Sequence, residues 1–481
     1  MCRKQLTPVW FLVMSLFAVA QAQPANDKVL RALDSASALV EATEADYGRH
    51  DMALVEPLEQ LANQLMALNQ FDQADATLDR ALQITRLHRG LHTPAQLALI
   101  RKRIDNFSNQ QAWADAREQM DYLFSFYLRV PVALQETLID DFLALAEQHL
   151  RGAKEDTQIE RGRHLSRIHQ INQAIIYTAR QLYGETSPEL APHLYRQVRH
   201  IYLFKKGFDE GGRTRANANF YYPLRGQTFG WRKKQFKQTS YTDGLWLLAQ
   251  IERLYSEGDS ADPIGQAMAQ LYRADWQMLY DYAAEAKNNY ESAYAALQGA
   301  GVSQRQLNRF FSQPRVLPLQ RFHSSVAAAI GGDASTTESS QNSAQASAQA
   351  SAQASAQASA LESTEAMPTH RLSFEEWSTD YPTTSDPLLL ADTAQGDPDY
   401  ALFEFSLPNE NESTFLYKHR YKQTIGDAYD VRLLDGFDGL PLGNEQAMAR
   451  IEQMRFRPRM PEGVPVESQI RLQYGIAVAV D

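Results

Sequence analysis

From about Asp27 to Phe311, apolar residues recur at spacings of three and four, the period that lays one stripe along an α-helix. Between Leu58 and Leu82 the series Leu58, Leu61, Ala62, Leu65, Phe71, Ala74, Leu78, Ala81 and Leu82 describes two helices joined by a tight turn near Asn69. The larger side chains fill the space between the helices, while Ala62, Ala74 and Ala81 stand where backbones approach closely. A shift of 42 residues brings Ile104, Phe107, Trp113, Ala116, Met120 and Leu123 to equivalent places. The preceding turn moves by the same step: Gly48-Arg49-His50-Asp51 recurs as Gly90-Leu91-His92-Thr93. Two independent features with one period predict stacked helical units. Tyr183 to Pro188 marks another unit boundary, and a further copy carries Ala274, Asp275, Trp276, Ala286, Tyr290, Ala293 and Tyr294.

Toward the C-terminus the period changes to two. Phe403, Phe405 and Leu407 share one face of a strand; Tyr429, Val431 and Leu433 share another; Ile470, Leu472, Tyr474, Ile476 and Val478 a third. Between the last two runs, Asn444 to Met454 reads as a helix capped by Asn444, with Ala447, Met448, Ile451 and Met454 turned inward. The pattern predicts a three-stranded antiparallel sheet covered by one helix, in the order β–β–α–β, with Thr414 to Tyr421 as an added hairpin. The expected fold is therefore mainly α: a helical array over 23–313, a linker over 314–399 and a small α+β domain over 400–481.

Two stretches depart from these periods. Ser343 to Ala360 repeats Ser-Ala-Gln-Ala without charge or large apolar residues, and reads as a flexible tether. Residues 361–399 hold Phe374, Trp377 and Tyr381 among prolines, a composition suited to docking in extended form. Residues 205–243 read as an irregular insert with nine Lys and Arg against three Asp and Glu. Arg225, Trp231, Arg232 and Lys233 are its candidate contacts for an anionic partner, a membrane surface or a glycan. The bland alternative is a loop whose aromatics pack onto adjacent helices.

Composition narrows the function. The 481 residues carry a formal charge of −11, which argues against broad nucleic-acid binding. The single cysteine, Cys2, excludes a disulfide framework, a thiolate zinc site and a CxxC redox centre. Arg3 and Lys4, the apolar run Val9 to Ala20 and the small-x-small Ala20-Gln21-Ala22 predict a signal peptide over 1–22. Export and cleavage would remove the cysteine and leave a chain of charge −13, located in the periplasm of a Gram-negative bacterium.

The helical units resemble the tetratricopeptide repeat in a longer form, with Leu61, Ala62, Phe71, Ala74, Ala81, Trp113, Ala116, Ala274, Ala286, Tyr290 and Ala293 as signature positions. That resemblance implies a superhelix whose concave face binds a peptide or protein segment. The last eighty or so residues resemble the C-terminal domain of TonB, the periplasmic end of an energy transducer. The resemblance rests on a helix bearing Ala447, then Arg455-Phe456-Arg457-Pro458, Gly463-Val464-Pro465-Val466 and a long final strand. Arg455, Phe456, Pro458, Gly463, Pro465 and Val466 are the motif positions. In that motif Phe456 would plug the sheet and Gly463 would permit the turn. The family adds partner strands to an open sheet edge, which by resemblance is Gln469, Ile470, Arg471, Leu472, Gln473 and Tyr474. The Pro-Lys and Pro-Glu spacer of TonB is absent, which argues against direct force transmission.

No HExxH, GxSxG, phosphate-binding loop or dinucleotide fingerprint occurs, so no enzyme, cofactor or metal is expected. His88 and His92 fall at the turn between repeats without the acidic support a ligand pair needs, and His164 and His169, five apart, are a poor helical pairing for one metal and read as a solvated helix face. The expected function is a protein–protein interaction scaffold, an accessory of TonB-dependent energy transduction or outer-membrane transport, with protein partners and at most peripheral membrane contact. The alternative is an envelope module that holds a glycan or cell-wall fragment in the array.

Overall fold

The computed structural model describes residues 30–129, 136–211, 229–257, 261–312, 314–335, 369–372, 399–409, 412–416, 419–423, 425–435 and 441–476. The expected signal peptide and the Ser-Ala-Gln-Ala repeat lie outside the described residues. The chain divides into two compact units, one ending at Asp156 and one beginning at Thr157.

The first unit holds α1 (30–47), α2 (Val55–Ala67), α3 (Phe71–Arg89), α4 (Leu97–Asn109), α5 (Trp113–Arg129) and α6 (Glu136–Glu155). Its repeat is visible in the turns. Gly48 and Gly90 follow α1 and α3 with φ of +90°, a positive-φ conformation that costs an L side chain about 1–3 kcal/mol. Three residues on, the Asp51 carboxylate and the Thr93 hydroxyl accept from the backbone N–H groups of Ala53 and Ala95, at 2.9 and 3.3 Å. Within each helix pair the turn residues Asn69 and Gln111 also take positive φ. There Gln70 and Ala112 donate back to the carbonyls of Leu65 and Phe107, both at 2.8 Å. This six-to-one bond satisfies a carbonyl that the helix end would leave unpaired. Neighbouring pairs are joined by bonds such as Asn106 Nδ2 to the Phe71 carbonyl (3.0 Å) and Arg103 to Asp75 (2.7 Å).

The second unit uses the same turns. Gly184 has φ of +90° with Ser187 accepting from Glu189, and Asp281 (φ 70°) precedes Tyr282, which donates to Gln277 at 2.9 Å. Its helices are α7 (Gln158–Tyr183), α8 (Ala191–Gly211), α9 (Phe229–Ser256), α10 (Pro263–Leu279), α11 (Ala283–Gly299), α12 (Gln304–Phe311) and α13 (Val326–Ser335). The expected irregular insert is thereby shortened, because 205–211 belong to α8 and 229–243 to α9. Packing overrides the weak local pattern here. Phe236 is buried, the Ser240 hydroxyl donates to the Phe236 carbonyl at 2.5 Å, and Tyr241 stacks on Tyr282 with centroids 4.3 Å apart. A methyl group on Gly244 would sit 2.1 Å from Trp276 Cζ2, so α9 and α10 meet where only glycine fits.

The strands are β1 (Arg315–Leu317), β2 (Thr369–Leu372), β3 (Asp399–Leu407), β4 (Glu412–Leu416), β5 (His419–Gln423), β6 (Tyr429–Asp435), β7 (Arg455–Arg457) and β8 (Ser468–Ile476). β3 pairs antiparallel with β6 and along the whole of β8, and β4 with β5 forms the added hairpin. Helix α14 (Pro441–Gln453) opens at Pro441 rather than at an Asn444 cap, since proline needs no N–H partner in a first turn. Phe403, Phe405, Leu407, Val431, Ala447, Ile451, Phe456, Ile470 and Leu472 form one apolar core. The architecture is mainly helical with a small sheet near the C-terminus. Among the described residues, no helix is long and apolar enough to cross a membrane.

Candidate functional site

The expected linker begins at residue 314, yet the chain there forms part of a joint. Arg315 to Leu317 pairs antiparallel with Arg455 to Arg457, with Val316 opposite Phe456. The C-terminal sheet is seated on α10, α11 and α12 by this ribbon and by a buried charge cluster. Arg457 and Asp275 are 1% and 3% exposed. Arg457 Nε and Nη2 donate to the two Asp275 carboxylate oxygens at 2.8 and 2.5 Å, a bidentate fork. Tyr290 donates to the same carboxylate at 2.8 Å, and the guanidinium lies over the Phe310 ring at 5.3 Å. Burial works against the charge of Arg457, but Asp275 outweighs it and raises the guanidinium pKa above its ordinary range. Burial, reinforced by Asp275, pushes the Tyr290 phenol well up.

Around this centre Arg455 pairs with Asp281 and Asp427, and Lys237 reaches Asp281 at 2.6 Å. Burial alone would raise the Asp281 pKa, but Lys237, Arg455 and Lys205 together hold it below the usual carboxylate value. The Met460 N–H donates to the Phe311 carbonyl at 2.8 Å. Gly463 has φ of +81°, and a methyl group there would meet Tyr294 Cβ at 2.7 Å.

The motif residues therefore divide between two tasks. Phe456 packs on Phe405 in the sheet core, with centroids 5.0 Å apart, and Pro458 and Pro465 are buried. Val466 is half-buried and donates its N–H to the Arg459 carbonyl, whereas Arg455 and Gly463 face the helices. Of the repeat positions, Ala62, Ala74, Ala81, Trp113, Ala116, Ala274, Ala286, Tyr290 and Ala293 are buried, and Leu61 and Phe71 half-buried. The sequence reading missed Asp275 and Arg457 as partners. The available signal was an acidic residue on an apolar helix face between Ala274 and Trp276, matched by the central arginine of Arg-Phe-Arg-Pro.

The expected partner edge, Gln469 to Tyr474, is not a free edge along its whole length. The sheet order is β2-β8-β3-β6, so β8 lies inside. Thr369 to Leu372 pairs in parallel with Arg471 to Tyr474, through the register Thr369–Arg471, His370–Leu472, Arg371–Gln473 and Leu372–Tyr474. Gln469 is exposed and Ile470 and Leu472 are in the core; Arg471 contacts Glu404 at 3.1 Å. Arg225 lies outside the described residues, and Trp231, Arg232 and Lys233 fall in the first turns of α9.

His88 and His92 are exposed beside the turn after α3, whereas His164 and His169 do not lie on the expected solvated helix face. His164 is buried, and His169 contacts Gln197 at 2.6 Å with its ring 6.0 Å from that of His200. Burial lowers the His169 pKa to about 4. Among the described residues, no group of three His, Cys, Asp or Glu is placed to hold a metal ion. Compared with known proteins, the sequence matches no family profile and no curated relative.

Proposed function

We propose that this chain is an exported, non-enzymatic interaction scaffold, in which a tetratricopeptide-type array carries a TonB-like sheet that recruits a component of TonB-dependent energy transduction or outer-membrane transport. The observation that carries this reading is that the sheet already grows by strand addition: β2, from a remote part of the chain, is hydrogen-bonded along β8. A sheet edge that accepts one extended segment by backbone bonding has the geometry to accept another, with alternate side chains setting the choice. The buried Arg457–Asp275–Tyr290 cluster supports a second element of the reading. It ties the sheet to the helix pair α10–α11 of the second unit, so that the two act as one platform for a partner.

The test is a photo-cross-linking amino acid at Gln469 of the full chain, expressed in its native cell, with adducts identified by mass spectrometry. The expected adducts contain an outer-membrane transporter or another protein of the TonB system. Adducts that contain neither, together with cell-wall glycan captured from a label at Trp231, would replace this reading with the ligand-binding alternative.

A further inference from the structure

We infer that Thr369 to Leu372 is a built-in occupant of the partner-binding edge, which an extended segment of the partner must displace; the inference rests on the strand-addition reading of β8. The two sides of β8 are paired unequally. On one side, β3 bonds through the full register from Asp399–Ile476 to Leu407–Ser468. On the other, β2 covers only Arg471 to Tyr474, and Ser468 to Ile470 carry no ladder partner from it. β2 is four residues long and runs parallel, the arrangement that is slightly less stable per residue. It is also remote in sequence from its neighbours, with residues 336–368 separating it from α13 and residues 373–398 separating it from β3. Pairing segments so far apart in sequence costs chain entropy.

Such a strand is strong enough to mask the edge and weak enough to be exchanged. A partner segment that pairs from Ser468 through Ile476 adds rungs that β2 does not make, so it wins once it is present at sufficient effective concentration. The side-chain requirement follows from the register. Ile470 and Leu472 belong to the core, and in the register of β2 the position paired with Leu472 is that of His370. The fitting partner is thus an extended peptide, parallel to β8, with apolar residues at the positions paired with Ile470 and Leu472 and polar residues at the alternating ones. Free chain would be kept from pairing edge to edge with other copies, a hazard of exposed strands.

The test uses the full chain with His370→Pro and Arg371→Pro together. Neighbouring N–H groups of a strand point to opposite sides, so the pair removes whichever one faces β8. Two readouts are taken: amide hydrogen exchange at Arg471 to Tyr474, and anisotropy titration with a fluorescein-labelled peptide of this chain's residues 367–374 at up to millimolar concentration. The expected result is at least tenfold faster exchange at the alternate amides of Arg471 to Tyr474 that face β2, with the amides that face β3 unchanged, and at least tenfold tighter peptide binding than to the wild-type chain. A second variant, Thr369 to Leu372 replaced by Gly-Ser-Gly-Ser, should behave alike. Equal exchange and equal titration in all three chains would overturn the inference. The partner reading fails on a different result, the absence of transport-component adducts at Gln469 in wild-type and proline variants alike.

Discussion

Removing one side of the Arg457–Asp275 pair should loosen the C-terminal sheet from the helices. Both groups are almost fully buried, their fork is short and bidentate, and Tyr290 donates to the same carboxylate. Substituting either residue alone leaves a charge in a site that excludes water, an effect of about 3–5 kcal/mol. Asp275→Leu also strands the Tyr290 hydroxyl, but that loss belongs to the same network and does not add in full. Replacing both residues, with Arg457→Met and Asp275→Leu, removes the uncompensated charge, and the double variant should be more stable than either single one. The assay is urea unfolding of the full chain followed by tryptophan emission, to which Trp276, the neighbour of Asp275, contributes. Single variants that each cost less than about 1 kcal/mol, or a double variant whose loss equals their sum, would refute the claim that this pair is a coupled, buried latch.

Three further outcomes follow from the packing and the titration. Gly244→Ala drives a methyl group into the Trp276 ring and should cost about 1–3 kcal/mol, read as a lowered unfolding midpoint. Thr242→Ala, at an exposed position of the same helix, should leave that midpoint nearly unchanged. Gly90→Ala meets open space and should cost only its backbone strain, about 1–3 kcal/mol; Gly463→Ala adds contact with Tyr294 and should cost more in the same urea series. Burial holds the folded-state pKa of His169 near 4, below the ordinary value of 6.5, and also lowers that of His200. The stability of the second unit should therefore be complete above about pH 6.5 and fall as pH drops toward 4, because the unfolded chain binds protons first. His169→Gln should flatten that slope in thermal melts taken between those pH values, and an unchanged slope would assign the effect to other groups.

What could be read from the sequence follows from how local each cause is. The 42-residue step was legible because its markers, Gly48 with Asp51 and Gly90 with Thr93, act within four residues of themselves. The alternation of Phe403, Phe405 and Leu407 likewise declared which face of β3 enters the core. Helix α9 was obscured because Gly230 and the aromatics around it have weak helical preference, and the burial of Phe236 against Phe204 with the packing of Tyr241 on Tyr280 and Tyr282 decides the outcome. β2 was hidden for a different reason. Four residues carry too little periodicity to announce a strand, and its partner lies about a hundred residues away. The latch is equally non-local: Asp275 and Arg457 each look like a surface charge until the fold brings them together across 182 positions. That contact changes the meaning of the Ser-Ala-Gln-Ala segment, which the sequence presents as a tether for a separate tail.

The most direct test of the account is therefore to cut that segment. A site for a specific protease placed within Ser343 to Ala360 of the full chain allows cleavage under native conditions, followed by size-exclusion chromatography of the two fragments. If the sheet is held by β1–β7 pairing and the Arg457–Asp275 latch, the fragments co-elute, and Asp275→Leu weakens that association. Separate elution of the two fragments from the otherwise unaltered chain would contradict the account, and would return the C-terminal sheet to the status of an independent, tethered domain.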